Sequence, residues 1–395
     1  MKIKIKHMQM MLFFFLASCG VYLIYVNNAI YKITLILVNL CMFLSVIIFY
    51  KSKLYLSKES LLMFLWLIYN GLSYLWAKPK YNFNMYLVLM YIVVTYIILY
   101  NYLKTENQLI YLLNMIIISS VILVLYIISY YGWDSMLNSR INNDLLNSNI
   151  AGRESAFSLF ISVFLFFYTR KKIYVIIQPL LLGMVLLSGS KGSLLVLVIL
   201  ISVFFLLKDE GNFLKRIKSL VLLISILALI LFLIMNIKPI YDIIGFRIEV
   251  FFEVLNGQNV WSSDKTSTDM RMYFIQNGFK LFKSKPLFGY GLDTYRYNNA
   301  YNTYSHSNFI EILVDLGIFG IFLFYGIYIL LLKEALKYKM KMNRIWFAFI
   351  MAILSNVVID AFTTINFNEL FYFLIICVMY SYIRISKNSS EDCKI

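Results

Sequence analysis

The sequence predicts an all-α fold, a polytopic membrane protein with about 12 transmembrane helices. Hydrophobic residues make up 61% of the 395 residues and charged residues only 14%, and a water-soluble domain of this length cannot bury so much apolar surface. The apolar residues come in runs of about 20, the length that a helix needs to cross a hydrocarbon layer about 30 Å thick. Basic residues gather in alternate connections between these runs, as the positive-inside rule expects.

These apolar runs define the candidate spans of a single transmembrane domain that covers residues 1–395. The first run follows a basic N-terminal segment and lacks a small-residue cleavage site, so we interpret it as a retained helix. In chain order the spans are placed at 8–26, 30–50, 61–76, 85–102, 109–131, 150–168, 173–187, 194–207, 220–236, 309–332, 345–361 and 370–383.

The charge distribution predicts that both ends of the chain are cytoplasmic. Lys2, Lys4 and Lys6 precede the first span, and an even number of spans returns the C-terminus to the same side. The formal net charge of +16 lies mostly in the connections on that side, so we attribute it to topology and not to nucleic-acid binding. The four cysteines have no spacing typical of a metal site or of a disulfide framework.

Residues 237–306, between the ninth and tenth spans, are predicted to form a large extracytoplasmic loop that carries part of the active site. Connections longer than about 15 residues in compact proteins usually carry function or are disordered. Ser267, Thr268 and Asp269 are predicted N-caps of an amphipathic helix in which apolar residues such as Phe274 recur at helical spacing, until Pro286 ends it. We expect this helix to lie on the outer face of the membrane or to dip into it.

The strongest candidate site is the stretch 304–308, where this loop ends and the tenth span begins. Its histidine, His306, is one of two in the chain. Glu311 and Asp315 are four residues apart on one helix face, so an imidazole and two carboxylates could line one cavity. Ionisable residues at a membrane span are functional candidates by default. The alternative is that both carboxylates lie near the interface and bind water or a lysine.

Two arginines of the loop are candidates for binding an anion. Arg271 lies in the amphipathic stretch and Arg296 follows the glycines of the loop. A guanidinium offers a fork of donors that matches phosphate geometry. The alternative for Arg271 is that it caps a surface helix or pairs with Asp264 or Asp269.

Small and aromatic residues supply weaker candidates. In the run 285–291, Gly289 and Gly291 would let backbone N–H groups approach an anion closely. The tight turn 187–193, with Lys191, could form an anion-binding nest, although such a turn is more often only a turn. Tyr304 belongs to a group of tyrosines before His306; such rings stack on sugars but also populate membrane interfaces.

Three of these segments resemble the signatures of one family. His306 and Ser307, followed nine residues later by 317–320, resemble the H-[NSQ]-x9-G-x-x-G signature of the O-antigen ligase and Wzy-type O-antigen polymerase superfamily. Arg271 with 285–291 is similar to the R…(D/K)-x-P-(L/I)-(L/F)-G-x-G segment of that family. Residues 188–192 resemble its (T/S)-x-S-R-G turn, with Lys191 in the place of the arginine.

The resemblance implies a GT-C-like membrane glycosyltransferase. Such an enzyme moves a glycan from an undecaprenyl diphosphate donor to an acceptor at the outer face of the bacterial cytoplasmic (inner) membrane, without a nucleotide sugar, a cofactor or a metal. Arg271 and Lys191 would neutralise the diphosphate, and His306 would either activate the acceptor hydroxyl or, if protonated, bind the diphosphate. Further expected contacts to the diphosphate or glycan are Arg296, Gly289, Gly291, Tyr304, Glu311 and Asp315.

The leading interpretation is a polymerase that joins undecaprenyl-diphosphate-linked oligosaccharide repeat units into a surface polysaccharide, O-antigen or capsule. One alternative is a ligase that transfers finished glycan to lipid A core or to protein, because the motifs are shared. Another is a flippase for the same lipid-linked glycan, which should place charged or helix-breaking residues at the membrane midplane in repeated halves. Expected partners are the lipid-linked oligosaccharide and the bilayer, with a chain-length regulator and a flippase of the same pathway as further candidates, and no nucleic acid.

Overall fold

The structure, a computed structural model, describes residues 55–78, 80–132, 148–209, 213–255 and 263–388. These ranges are helical and contain no strand. We label the longer helices α1 (Lys58–Leu72), α2 (Phe83–Tyr102), α3 (Glu106–Tyr131), α4 (Ser148–Thr169), α5 (Ile173–Leu187), α6 (Lys191–Leu207), α7 (Phe213–Asn236), α8 (Phe246–Leu255), α9 (Ser263–Ser284), α10 (Asn308–Lys337), α11 (Arg344–Thr363) and α12 (Leu370–Asn388).

The predicted all-helical membrane fold is confirmed. Each predicted span from 61–76 onward coincides with one of these helices, and the first two, 8–26 and 30–50, lie outside the described residues. In the described ranges six helices are long and apolar enough to cross a membrane, namely α2, α3, α4, α10, α11 and α12. A bent helix pair would add a seventh, and α5 and α6 are shorter apolar helices. The number of about 12 spans therefore stays a prediction.

Capping residues fix where the first helices begin. The side chain of Ser57 accepts a hydrogen bond from the backbone N–H of Ser60 at the start of α1, and Asn82 does the same for α2. Helix α3 begins with a reciprocal capping box between Thr105 and Gln108. Such caps satisfy backbone N–H groups that have no partner within the helix.

The chain forms two compact units. The first comprises Met1–Cys41, Thr105–Lys265 and Met342–Asn356. Within its described part, α4 packs against α3, α5 and α6. An aromatic core holds this unit together, in which the ring of Phe164 lies 4.7 Å from that of Trp346 and 4.4 Å from that of Phe349, between centroids.

The second unit comprises Met42–Lys104, Thr266–Lys341 and Val357–Ile395. Here α10 packs against α1 and α12, and α2 packs against α1 and α12. The buried ring of Trp66 on α1 lies 5.3 Å from that of Phe324 on α10. Helix α10 is interrupted at Gly317, whose φ of 65° and ψ of −163° are not helical.

One expectation for the segment after α7 needs correction. After Ile237 the chain continues through Lys238–Ile240 and a π-helical turn, Tyr241–Gly245, into α8. The segment Lys238–Val250 turns by 95° from Ala228–Asn236. The amphipathic helix exists as α9 but begins at Ser263, so the assignment of residues 267–269 as its N-caps is wrong, because those residues lie inside the helix.

Candidate functional site

His306 lies at the centre of a short, tightly hydrogen-bonded turn that precedes α10. The Ser305 hydroxyl donates to the backbone oxygen of Ser307 at 2.8 Å and accepts from the backbone N–H of Ser307 at 3.2 Å. Ser307 caps α10 by accepting from the backbone N–H of Ile310, and its hydroxyl donates to the backbone oxygen of Ala361. His306 itself has a φ of 57°, a left-handed conformation that histidine tolerates better than most residues. The turn therefore fixes the direction in which the imidazole leaves the backbone.

Glu311 anchors this turn from inside the helix. Its carboxylate accepts a hydrogen bond of 2.7 Å from the backbone N–H of Ser305, and both residues are buried. A buried carboxylate that accepts from a backbone N–H next to a histidine restricts the histidine's backbone. Glu311 thus lies beside the candidate catalytic residue, in a position to orient it.

Aromatic rings hold the imidazole of His306. The centroid of the ring lies 4.2 Å from that of Tyr304 and 5.8 Å from that of Phe274 on α9. Burial lowers the pKa of His306 from 6.5 to about 4, and the positive charge of Arg271 adds to this effect. The imidazole is therefore neutral at pH 7 and able to accept a proton.

Arg271 belongs to the same group of residues. It lies on α9 one helical turn before Phe274, the residue whose ring lies against that of His306, and it is exposed. Helix α9 and the turn before α10 thus carry the two predicted catalytic residues, Arg271 and His306, to one region of the second unit. An exposed guanidinium beside a neutral imidazole offers charge to an anion and an acceptor to a hydroxyl.

The predicted anion-binding glycines have a different role in the structure. The backbone N–H of Gly289 donates to Lys285 O and that of Gly291 donates to Asp315 O. A Cβ on Gly289 would lie 2.5 Å from the backbone oxygens of Val314 and Asp315. These N–H groups therefore bind backbone oxygens of the protein and not an anion. The run 285–291 packs backbone to backbone against the break in α10.

Gly317 forms the other side of this contact. A Cβ there would lie 2.3 Å from the backbone oxygen of Leu287, and the N–H of Ile318 donates to Pro286 O at 2.9 Å. The glycine of the 317–320 motif is therefore required by a close approach of two backbones. The P-L-F-G-Y-G and G-x-x-G motifs are distant in sequence but pack against each other, and we call this contact the joint.

Asp315 and Arg296 hold the loop between that joint and His306. The Asp315 carboxylate accepts from the backbone N–H groups of Asp293 (2.7 Å), Thr294 (3.1 Å) and Tyr295 (2.7 Å). Arg296 forms an ion pair with Asp293 at 2.6 Å, and that charge raises the pKa of Arg296 against the effect of burial. Asp315 and Arg296, which were predicted to contact the substrate, thus bind groups of the protein itself. Asp293, whose φ is 60°, carries no motif that could have indicated this role.

Lys191 lies in the first unit, at the start of α6. The serine turn, residues 188–193, precedes and opens this helix, and Ser190 caps it by accepting from the backbone N–H of Ser193. Sequence reasoning passed over two basic neighbours of this turn, Arg153 on α4 and Arg247 on α8. Arg153 had one available signal, a charge inside an apolar span.

Comparison with known proteins agrees with the motifs. Residues 173–325 match a protein-family model described as O-antigen ligase, a stretch that includes Lys191, Arg271 and His306. The predicted resemblance to the O-antigen ligase and Wzy-type superfamily is therefore confirmed over this part of the chain. No curated protein matches the chain.

Proposed function

We propose that this chain, which carries an O-antigen ligase family domain, polymerises undecaprenyl-diphosphate-linked oligosaccharide repeat units into a surface polysaccharide. The observation that carries the proposal is the fixed turn that holds the ring of His306 against Phe274 of α9, the helix that also carries Arg271. The family match supports a glycosyltransferase-like membrane enzyme. The assignment as a polymerase, with an O-antigen or a capsule as product, is part of the proposal.

In the proposed reaction the acceptor hydroxyl oxygen attacks the anomeric carbon of the donor sugar. The bond from that carbon to the diphosphate oxygen breaks, and its electron pair leaves with the lipid diphosphate. His306 takes the hydroxyl proton and later releases it to water, as a general base does. Arg271 stabilises the negative charge that grows on the leaving diphosphate.

The lowered pKa of His306 favours the base over the phosphate-binding cation, the two roles that the sequence left open. A histidine with a pKa of about 4 carries no charge at pH 7, so it offers a diphosphate no cation. A bound diphosphate would raise that pKa, since a nearby negative charge favours the protonated form. The base would therefore become stronger once the donor is in place.

The ligase remains the second candidate, because the matching family model is described by that activity. A ligase would use the same His306 and Arg271 but would transfer a finished glycan once, to lipid A core or to protein. The two differ in the acceptor, which is another lipid-linked repeat unit for the polymerase. We propose the bacterial inner membrane as its location, with cytoplasmic termini and the site facing outside.

The test uses purified full-length protein in lipid nanodiscs with radiolabelled lipid-linked repeat units. We expect long glycan chains and release of lipid diphosphate. Transfer to lipid A core alone would favour the ligase, and transport without new glycosidic bonds would refute an enzyme. His306→Ala and Arg271→Ala should each lower chain growth by about 100-fold to 10,000-fold, with unchanged protein in the membrane. His7→Ala, at the only other histidine, is the matched control and should grow normal chains.

A further inference from the structure

The connection between α11 and α12, residues 364–369, is tied to the turn that carries His306. Asn308, two residues after that histidine, is buried. Its side-chain oxygen accepts hydrogen bonds from the backbone N–H groups of Asn366 and Phe367, each at 3.0 Å. We call this connection the α11–α12 turn. Because Asn308 holds it next to the start of α10, a ligand bound there lies close to the candidate catalytic imidazole.

Two amide oxygens of the α11–α12 turn accept no hydrogen bond. Asn366 is 3% exposed, and neither its Oδ1 nor that of Asn368 has a donor among the residues that the structure describes. The backbone N–H of Glu369 donates to Asn366 O at 3.2 Å, which closes a tight turn and keeps the two Cα atoms within about 7 Å of each other. Buried acceptors without donors cost free energy and are rare in folded proteins, so these two point to a ligand.

Glu369 adds a carboxyl group to these amides. The residue is half-buried and immediately precedes α12. Burial raises the pKa of its carboxyl group from 4.5 to about 7, and no cation or hydrogen-bond donor of the described ranges offsets that effect. A carboxylate accepts up to about four hydrogen bonds. The α11–α12 turn thus presents three neighbouring side chains whose oxygens lack donors, two of them reaching the surface.

Helix α1 brings further unused polar atoms to the same region of the second unit. The ring of Trp66 lies 6.5 Å from that of Phe367 in the α11–α12 turn. Trp66 and Asn70 are four residues apart on one face of α1, and both are 0% exposed. In the described part of the chain, Trp66 Nε1 and Asn70 Oδ1 have no hydrogen-bond partner. The unused atoms near the turn therefore include a donor as well as acceptors.

We propose that Asn366, Asn368 and Glu369 form a binding site for the hydroxyl groups of a saccharide. A hydroxyl donates to an amide or carboxylate oxygen and can also accept from an indole N–H. A cation such as Ca²⁺ would use acceptors alone and takes about six to eight oxygen ligands, whereas Glu369 is the only acid of residues 364–369. That the saccharide is the acceptor of the transfer, with a hydroxyl presented to His306, rests on the proposed function.

The test measures binding of the free oligosaccharide, released by mild acid from lipid-linked repeat units, to the purified full-length protein in phosphatidylcholine nanodiscs. Glu369→Ala should raise the dissociation constant by about 10-fold to 100-fold, the effect of losing hydrogen bonds to a charged group. Asn368→Ala, which removes a neutral acceptor, should raise it by about twofold to 10-fold. Glu334→Ala, at a half-buried glutamate near the other end of α10, is the matched control and should change binding by less than about twofold. Equal binding by wild type, Glu369→Ala and Asn368→Ala would overturn the site.

Two further measurements separate this site from a structural role and from a cation site. The carboxyl group of Glu369 has no partner of its own in the described residues, so Glu369→Ala should leave the midpoint of thermal unfolding unchanged or raise it. A midpoint that falls together with binding would indicate a structural role and overturn the site. Calcium binding that Glu369→Ala abolishes, with unchanged binding of the oligosaccharide, would overturn the saccharide assignment.

Kinetics with the lipid-linked acceptor then distinguish this inference from the proposed function. Glu369→Ala and Asn368→Ala should raise the KM for the acceptor by the same factors as the dissociation constant and change kcat little. Chain growth with the wild-type KM in both variants would refute this inference alone. Binding of the oligosaccharide that both variants weaken, without chain growth by the wild type, would refute the proposed function alone.

Discussion

The His306 turn and the serine turn use the same kinds of residue in opposite ways. In the second unit, Asp315 and Glu311 accept backbone N–H groups of the chain and hold its loop in place. In the first unit, Arg247 donates to the backbone oxygen of Gly189 in the turn, and within the described residues the hydroxyls of Ser148 and Ser155 on α4 have no hydrogen-bond partner. The comparison teaches that a charged residue near a motif must be judged by what its atoms already bind.

The loop of the second unit is therefore a scaffold that presents one imidazole and one guanidinium. Two of its charged residues, Arg296 and Asp293, are paired with each other. Substitutions at the paired polar groups of this loop should accordingly disrupt folding and the geometry of the site.

The largest effect should come from Gly317→Ala, at the joint behind the scaffold. The new Cβ would lie 2.3 Å from the backbone oxygen of Leu287, in a residue whose φ is +65°. A left-handed alanine and a backbone clash together cost about 3 kcal/mol or more. We expect the midpoint of thermal unfolding in detergent to fall sharply. Gly183→Ala in α5, where a Cβ meets no atom within 4 Å, is the control and should change the midpoint little or raise it.

Asp315→Ala should have the next largest effect on stability. It removes the acceptor of the backbone N–H groups of Asp293, Thr294 and Tyr295, and buried donors without acceptors cost about 1–3 kcal/mol each. Asp315→Asn keeps one acceptor oxygen and should lose less. The same thermal unfolding measurement checks both, with the exposed Asp242→Ala as a control. An Asp315→Ala protein as stable as wild type would contradict the scaffold role.

Much of this architecture could be predicted from the sequence, and the reason is physical. A lipid solvent demands long apolar helices, so composition alone predicts the helices that coincide with the apolar runs, α1 to α7 and α10 to α12. His306 and Arg271 were found because their motifs are local. The roles of Gly289 and Gly317 could not be predicted, since each depends on a backbone that lies far away in sequence and meets it only after folding.

The same limit explains what was missed beside Lys191. Arg153 and Arg247 reach the serine turn from other helices, and no sequence spacing connects residues 153, 191 and 247. The start of α9 was misplaced for a local reason. Three good capping residues at 267–269 suggested a helix start, but the helix begins at Ser263. Residues that favour N-caps can also lie inside a helix, so their preference alone did not locate its first residue.

Glu311 offers a moderate effect that tests whether the scaffold positions the imidazole. Glu311→Ala leaves the backbone N–H of Ser305 without its acceptor, and this relaxes the left-handed turn at His306. We expect kcat to fall by about 10-fold to 100-fold with little change in KM, and Glu311→Gln, which keeps an acceptor, to lose less. The pKa of His306 should move towards 6.5 in Glu311→Ala as the ring leaves its aromatic neighbours. A lost kcat with an unmoved pKa would indicate a merely structural role.

The smallest effect should be the change in the pKa of His306 when Arg271 is replaced. Arg271 lowers the pKa of His306, after burial, to about 4, so Arg271→Gln should raise that pKa, because protonation no longer meets a neighbouring positive charge. Since burial is the larger cause, the pKa should stay below 6.5. In a His7→Ala background His306 is the only imidazole, so its titration can be followed by NMR without overlap. Lys285→Gln, elsewhere in the loop, should leave the titration unchanged; an Arg271→Gln protein with the wild-type pKa would separate the two residues on which the proposed chemistry depends.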